Sequence, residues 1–267
     1  GILLTSISLQ RLNSDILLDL IKKVIDKDKI NKSNYENRNN IPKELLYFDY
    51  MSNIKPHYEV AMNTVARYIN KYPHKIADIE NILVSLIEKN KSRWYNYSLD
   101  VNWIDKPPRL KTGECGINYI NSMHHILGQY YDQDTLISFV FDKTQNYKVD
   151  EETVEIDILE FWNQTKNDMS RIQDVNKNFT YLSKNLIPDA VKNNLSGKSL
   201  IISTDGFLQE IPFQYLLKGE KIKSITHIPG FSNYREKTYG TKDNLLAISV
   251  AKPNFLNDDD DLFFSYE

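Results

Sequence analysis

Glycine is almost missing from the first third of the chain, and this feature restricts the available folds more than any other. Gly1 is the only glycine in residues 1–95, whereas the complete 267-residue chain contains 9. Tight turns and strand ends often use glycine because it tolerates backbone angles that other residues avoid. The first segment therefore favours helices joined by polar turns, and the glycines of the second part allow hairpins and strand ends.

Apolar residues in the glycine-poor segment recur at three- and four-residue spacing, which predicts amphipathic helices. One pattern follows Asp15, and three others follow Pro42, Pro56 and Pro73, since proline suits the first turn of a helix. We therefore expect an all-α, helical-repeat-like array over residues 1–110, without a repeat period regular enough to name a solenoid. The helix after Pro56 carries Val60, Ala61, Val65, Tyr68 and Ile69, and the helix after Pro73 carries Ile76, Ile79, Ile82, Leu83, Leu86 and Ile87.

Residues 111–267 change character and predict an α/β domain. We expect a helix from about residue 116 to 127, which would bury Ile117, Ile120, Ile126 and Leu127. A β-branched and aromatic run at 135–141 predicts a strand, and a second strand near 147–149 would pair with it as a hairpin.

Two helices and three buried strands are predicted beyond that hairpin. The helical patterns contain Val154, Ile158, Phe161 and Trp162 in one case and Ile172, Val175, Phe179 and Leu182 in the other. Short apolar runs of strand length occur at Ser199–Ser203, Ile222–Ile228 and Leu245–Val250.

Charge and cysteine content exclude several classes of protein. With 33 Lys+Arg against 36 Asp+Glu, nucleic acid is not indicated as a partner. No stretch approaches the roughly 18 apolar residues that cross a bilayer, and no signal peptide is recognisable. The single cysteine, Cys115, excludes internal disulfides and a cysteine-rich zinc site. We expect a cytoplasmic protein that binds no membrane, metal or cofactor.

Cys115 and the histidines are the residues that could carry nucleophilic chemistry. His124 and His125 follow Cys115 closely in sequence, but a catalytic pair requires the base within about 3 Å of the sulfur. We interpret Cys115 as structural. Adjacent histidines on a helix point about 100° apart and so cannot share a metal, which leaves one facing the core and one in solvent. His227 fits a strand residue.

The remaining candidate sites, for a cation or a nucleotide, have less support in the sequence. The acidic run Asp258–Asp261 has the ligands of a hard cation, but consecutive carboxylates without a turn-forming glycine fit a solvated loop better. No Walker loop, G-x-G-x-x-G or H-E-x-x-H motif occurs. Because the chain begins with Gly1 and not methionine, and ends soon after the acidic run, we expect a fragment or a processed product.

The run from Leu200 to Leu216 carries the most specific signal. An apolar strand is followed by Asp205-Gly206 and then by Pro212-Phe213 and a leucine. This run closely resembles a signature of CHAT domains, which are caspase-like domains often attached to tetratricopeptide-type helices. Thr204 stands where that family usually has proline.

Three further segments resemble the family in the same order. They are the tyrosine-rich entry at Leu127–Phe141, a strand ending in proline and serine at Ile225–Ser232, and a strand with a following Pro-x-Phe at Leu245–Phe255. The resemblance covers about residues 118–256. It implies a caspase-like α/β fold, incomplete in this chain, over residues 111–267.

The resemblance also implies a function. The family belongs to a clan of cysteine peptidases, related to caspases and separase, that use a His–Cys dyad. In the family both dyad residues follow the strand that Leu245–Val250 matches, so no residue of this chain inherits a catalytic role. Asn254 would help to line the specificity pocket, and Asp205, Gly206, Pro212 and Phe213 would be structural.

We therefore expect the N-terminal part of a caspase-like cysteine endopeptidase. Its partners would be the C-terminal remainder of the domain, a protein activator or sensor, and a protein substrate. Family members include bacterial defence proteases, and the Lys-, Asn- and Ile-rich composition fits an AT-rich bacterial genome. The alternative is a non-catalytic interaction module with a dead or truncated CHAT domain. A nucleotide-binding α/β protein has less support because no glycine-rich loop follows a strand.

Overall fold

The computed structural model describes residues 15–16, 18–23, 26, 55–95, 106–149, 152–171 and 173–231. The predicted helix after Pro42, the strand at Leu245–Val250, Asn254 and the acidic run Asp258–Asp261 lie outside these residues. None of the described helices is both long enough and apolar enough to span a membrane.

Helices follow Pro56 and Pro73, as the spacing predicts. Helix α1 spans Lys55–Lys71, a 3-10 turn spans Pro73–Asp78, and helix α2 spans Glu80–Tyr95. Residues 15–16, 18–23 and 26 are also helical. Each helix buries one apolar face, formed in α1 by Tyr58, Ala61, Met62, Val65 and Ile69, and in α2 by Leu83, Val84, Leu86 and Ile87.

The described residues contain seven strands, which form two sheets. In chain order they are β1 (Glu114–Asn121), β2 (His125–Tyr131), β3 (Leu136–Asp142), β4 (Thr144–Val149), β5 (Glu152–Asp157), β6 (Ser199–Ser203) and β7 (Ser224–Ile228). The larger sheet has the order β3-β2-β1-β6-β7. Strand β2 pairs antiparallel with both β1 and β3, whereas β6 pairs parallel with both β1 and β7.

The predicted helix at 116–127 is wrong, because these residues form β1, a turn and the start of β2. Its apolar positions lie on both sides of the sheet: Ile117 and Ile126 belong to one core cluster, Ile120 and Leu127 to another. A strand buried on both faces lacks the polar alternation that identifies a half-exposed strand. The spacing of these apolar residues therefore resembled that of a helix.

Two further boundaries differ from prediction. Strand β4 pairs with β5 and not with β3, so Val154 lies in a strand. Helix α3 spans Ile158–Ser170 and begins there because Asp157 caps it, its Oδ1 accepting from the Leu159 N–H at 2.8 Å. Helix α4 spans Asn176–Leu186 and so begins after Val175.

The predicted strand at Ser199–Ser203 is confirmed, as is a strand within Ile222–Ile228. Short helices connect the later elements: α5 (Asp189–Lys192), a 3-10 turn (Gly206–Glu210) and α6 (Phe213–Leu216).

Helices cover both faces of the larger sheet. Helices α3, α4 and α6 share one apolar core with Cys115, Ile117 and Tyr119 of β1. Helices α1 and α2 share a second core with Ile120 of β1 and Leu127 of β2. The described part of the chain is therefore a mixed α/β structure, which confirms that part of the predicted fold class.

Candidate functional site

Four strand ends meet at one edge of the sheet. Strands β1, β3, β6 and β7 run in the same direction, so their carboxyl ends lie together. We call this region the carboxyl edge and define it as Asn121–His125, Asp142–Lys143, Ser203–Gly206 and Pro229–Phe231. Ligand and catalytic sites of open α/β sheets occur outside the carboxyl ends of the strands, which makes this edge the candidate site.

Asp205 and Gly206 join the ends of β6 and β1. The Asp205 Oδ1 accepts a hydrogen bond from the Asn121 backbone N–H at 2.6 Å. Gly206 has a φ of +55°, and a Cβ there would lie 2.9 Å from the Asn121 Nδ2. The left-handed backbone favours glycine, and a Cβ at this position would push the Asn121 side chain aside. The Asp-Gly pair thus fixes one strand end against the other.

Pro212 and Phe213 anchor the segment that follows. Phe213 is fully buried, and its ring centroid lies 5.4 Å from that of Tyr119 on β1. The Pro212 carbonyl accepts from the Tyr215 N–H at 2.9 Å and so begins the short helix α6. These contacts are structural in character.

A row of polar side chains crosses the sheet on the face covered by α2. Ser203, Asn118, Gln129 and Ser138 occupy paired positions on β6, β1, β2 and β3, and all four are buried. We call them the polar row. The Gln129 Nε2 donates to the Ser138 Oγ and to a backbone carbonyl at the start of α2, each at 3.0 Å. Buried polar groups of this kind are stable when they are hydrogen-bonded.

Two charged residues of α2 lie against the polar row. Glu88 is 0% exposed and Lys91 is 1% exposed. The Lys91 Nζ donates to the Asn118 Oδ1 and to the Ser203 Oγ, each at 2.6 Å. The Asn118 Nδ2 donates to the Glu88 Oε1, also at 2.6 Å. Burying an ion is unfavourable unless hydrogen bonds replace its hydration. The short hydrogen bonds of Glu88 and Lys91 serve this purpose.

The same residues hold the segment after β7. The Phe231 N–H donates to the Glu88 Oε1 at 3.1 Å, and the Ser203 Oγ donates to the Pro229 carbonyl at 3.2 Å. Helix α2 therefore contacts β1, β6 and the end of β7 through one continuous hydrogen-bond network.

Burial shifts the pKa values of the charged groups at this edge. It lowers the pKa of Lys91, against the opposing effect of the nearby Asp205 and Glu88 carboxylates. It raises the pKa of Asp205, against the opposing effect of Lys91 and of the hydrogen bond from Asn121. When all three side chains are ionised, two negative charges face one positive charge, and a proton on Asp205 restores neutrality.

The β1–β2 turn is held by α1. The Met123 N–H donates to the Glu59 Oε2 at 2.8 Å. The Nδ1 of His125 lies 3.1 Å from the Asn63 Oδ1, and its Nε2 lies 3.3 Å from the Asp142 Oδ1. His124 is exposed, as predicted for one of the pair. His125 is half-buried among polar groups and does not face the core, and both histidines lie at a strand turn and not on a helix.

An open polar depression of about 350 Å³ adjoins this turn. Its lining includes His124, His125, Asp142, Lys143 and Asp157. Across the part of the chain that the structure describes, no three His, Cys, Asp or Glu side chains come together as metal ligands would.

Cys115 lies far from these histidines. It stands near the start of β1, about 20 Å from the carboxyl edge at the rise of a β-strand, and it is fully buried in the core shared with α3 and α4. Burial raises the pKa of its thiol to about 11. A thiol of this kind is unreactive at neutral pH, because the thiolate is the nucleophile. His227 lies on β7, with its ring centroid 6.2 Å from that of Phe213.

Sequence reasoning missed Glu88, Lys91 and the polar row. A signal for the α2 residues existed, because Val84, Ile87 and Lys91 continue one buried stripe at three- and four-residue spacing. The polar row left no local signal, since its four members come together only through strand register.

No protein family, curated protein or solved structure with which this chain was compared matches it.

Proposed function

We propose that this chain is the N-terminal part of a caspase-like cysteine endopeptidase of the CHAT type, with a His–Cys dyad supplied by residues outside the 267 given. A protein activator or sensor would switch it on, and its substrate would be a protein. The proposal rests on the resemblance of the Leu200–Leu216 run and of three further segments in the same order.

The position of Asp205-Gly206 is the observation that carries the proposal. The most specific part of the signature lies at the carboxyl edge, where parallel strands β1, β6 and β7 end. Asp205 accepts from the Asn121 backbone N–H, and Gly206 leaves room for the Asn121 side chain. Motif residues with these contacts would shape the floor of an active site while leaving its chemistry to other residues.

The state of Cys115 is consistent with a dyad located elsewhere. A buried thiol with a raised pKa offers neither access nor thiolate to a substrate. Cys115 therefore also provides a matched control in any experiment that searches for a reactive cysteine.

Reading the coding sequence past codon 267 is the first test. A histidine followed by glycine, and a later cysteine after a predicted strand, would support the proposal. Their absence would overturn it and favour the alternative, a non-catalytic interaction module whose helices bind a partner.

Labelling of the native protein is the second test. The protein, isolated with its partners, would be treated with a peptidyl acyloxymethyl ketone, and the modified cysteine would be identified by mass spectrometry. We expect the label on a cysteine outside residues 1–267 and unchanged labelling in a Cys115→Ser variant. Labelling of Cys115 itself would contradict the proposal.

A further inference from the structure

We propose that the acidic run Asp258–Asp261 binds to three lysines at the amino edge of the larger sheet in the same chain. The parallel strands β1, β6 and β7 begin at this edge, so it lies at the opposite end of the sheet from the candidate site. The three lysines are Lys218, Lys221 and Lys223, between α6 and β7, and we call them the basic edge. The inference does not depend on the proposed peptidase function.

Backbone hydrogen bonds join the basic edge to the start of β6. The Lys223 N–H donates to the Lys198 carbonyl at 2.9 Å, and the Gly197 N–H donates to the Lys221 carbonyl at 2.6 Å. Neighbouring strands lie about 4.8 Å apart, so Lys198 and Lys223 begin from adjacent points of the backbone. Like charges this close repel each other, and a nearby carboxylate removes the repulsion.

Asp132 serves Lys198 and leaves the basic edge without a carboxylate. The Lys198 Nζ lies 2.5 Å from the Asp132 Oδ2. Among the ion pairs of the residues that the structure describes, none includes a lysine of the basic edge. All three lysines are exposed, and Glu220 is the only acidic residue between Lys218 and Lys223. The basic edge therefore keeps a positive charge that further carboxylates can neutralise.

Space beside the basic edge allows another segment to approach it. No described atom lies within 4 Å of a Cβ added to Gly197 or to Gly219. The same is true of Gly113, in the loop before β1. The loops that begin all three strands are therefore open on the side of these glycines.

The chain itself carries a matching anion. Asp258–Asp261 supplies four consecutive carboxylates, and Asp258 follows Phe231 by 27 residues. Phe231 lies at the carboxyl edge, 8 residues beyond Lys223, which corresponds to about 26 Å along a strand. Because 27 residues span up to about 90 Å, the acidic run can reach the basic edge.

Two considerations favour this run over an external polyanion. A tethered segment acts at an effective concentration of about millimolar order, so a few weak surface ion pairs are enough to bind it. The complete chain has a net charge of −3, which gives nucleic acid no long-range attraction. The acidic run is therefore the occupant that we expect on the basic edge.

Zero-length crosslinking of the 267-residue chain with a water-soluble carbodiimide tests this contact. The reagent joins a carboxylate to a lysine amine only where the two groups touch, and mass spectrometry identifies the joined peptides. We expect amide bonds between Asp258–Asp261 and the basic edge at low salt. They should be lost near 1 M salt, where charges are screened beyond about 3 Å. Lys22 serves as control, because it is exposed and follows Ile21, which packs with α1 and α2 on the other face of the sheet.

Charge reversal separates a specific contact from chance encounters. Lys221→Glu together with Lys223→Glu should abolish the crosslinks at these two positions. Adding Asp259→Lys and Asp260→Lys should then restore crosslinks between the same positions, because the charges are exchanged and remain complementary. A contact without this specificity would not recover.

A mixture of ¹⁴N- and ¹⁵N-labelled protein decides which chain supplies the acidic run. Crosslinked pairs of one isotope alone would support the proposal, whereas pairs that combine both isotopes would mean that a second copy supplies the run and would overturn it. The proposal would also fail if the wild type formed no crosslink to the basic edge, if Lys22 were crosslinked equally, or if the charge-exchanged variant did not recover.

Discussion

The two faces of the sheet are stabilised by different means. The face under α3, α4 and α6 is apolar, with Ile117 and Tyr119 of β1 and Leu200 and Ile202 of β6 in one core. The face under α1 and α2 adds the polar row and two buried charged residues to its apolar contacts. Apolar packing tolerates volume-conserving exchange, whereas a buried charge network fails when one member is removed. The face under α1 and α2 therefore tolerates fewer substitutions than the apolar face.

Removing the buried cation Lys91 should cause the largest loss of stability. Lys91→Met keeps the length of the side chain but removes the positive charge that faces Glu88 and Asp205. We expect a loss of about 3–5 kcal/mol in the free energy of unfolding, measured by urea denaturation. Adding Glu88→Gln should recover part of this loss. A loss below about 1 kcal/mol would remove the distinction between the two faces.

Truncating a side chain on the apolar face should cause a large loss of stability, and no change of charge should restore it. Leu200→Ala removes a fully buried side chain, and we expect a loss of about 2–5 kcal/mol by the same measurement. Leu159→Ala, at a side chain that is 39% exposed, serves as control and should lose far less. Partial recovery of Leu200→Ala by Glu88→Gln would show that the faces are coupled.

A substitution at the Asp205-Gly206 pair should cause an intermediate loss of stability. Gly206→Ala introduces left-handed strain of about 1–2 kcal/mol and also a contact with Asn121. Gly197→Ala, at φ +73° with nothing within 4 Å of the added carbon, introduces strain alone. We expect Gly206→Ala to be the more destabilising of the two in thermal unfolding. Equal losses would mean that the Asn121 side chain moves aside at no cost and that its contact with residue 206 contributes nothing to stability.

Removing a surface ion pair should cause the smallest loss of stability. The Lys166 Nζ lies 2.5 Å from the Glu210 Oε2, and this hydrogen bond lowers the pKa of Glu210. Both side chains are about half exposed, so Glu210→Gln should cost below about 1 kcal/mol, and less at high salt. The contribution is present at neutral pH and is lost as the pH falls through the lowered pKa. A larger, salt-independent loss in urea denaturation would contradict this.

Local patterns predicted the elements that have a clear period or a distinctive composition of their own. The helices after Pro56 and Pro73 and the strand at Ser199–Ser203 were predictable because each carries its own period or composition. The β1–β2 hairpin was not, because burial on both faces removed the alternation. Lys91 could have been noticed on its buried stripe, but its partners Asn118 and Ser203 depend on strand register across distant parts of the chain.

The network around α2 also sets the order in which the molecule can fold. Strands β1, β2 and β3 are neighbours in sequence and can pair early, since short loops close quickly. Lys91 and Ser203 are 112 residues apart, and Glu88 and Phe231 are 143 apart. At the usual pace of translation about 7 to 30 s separate the synthesis of residues 88 and 231. Until residue 231 has been synthesised, Glu88 and Lys91 lack these distant partners, and two charged side chains interrupt the apolar face of α2.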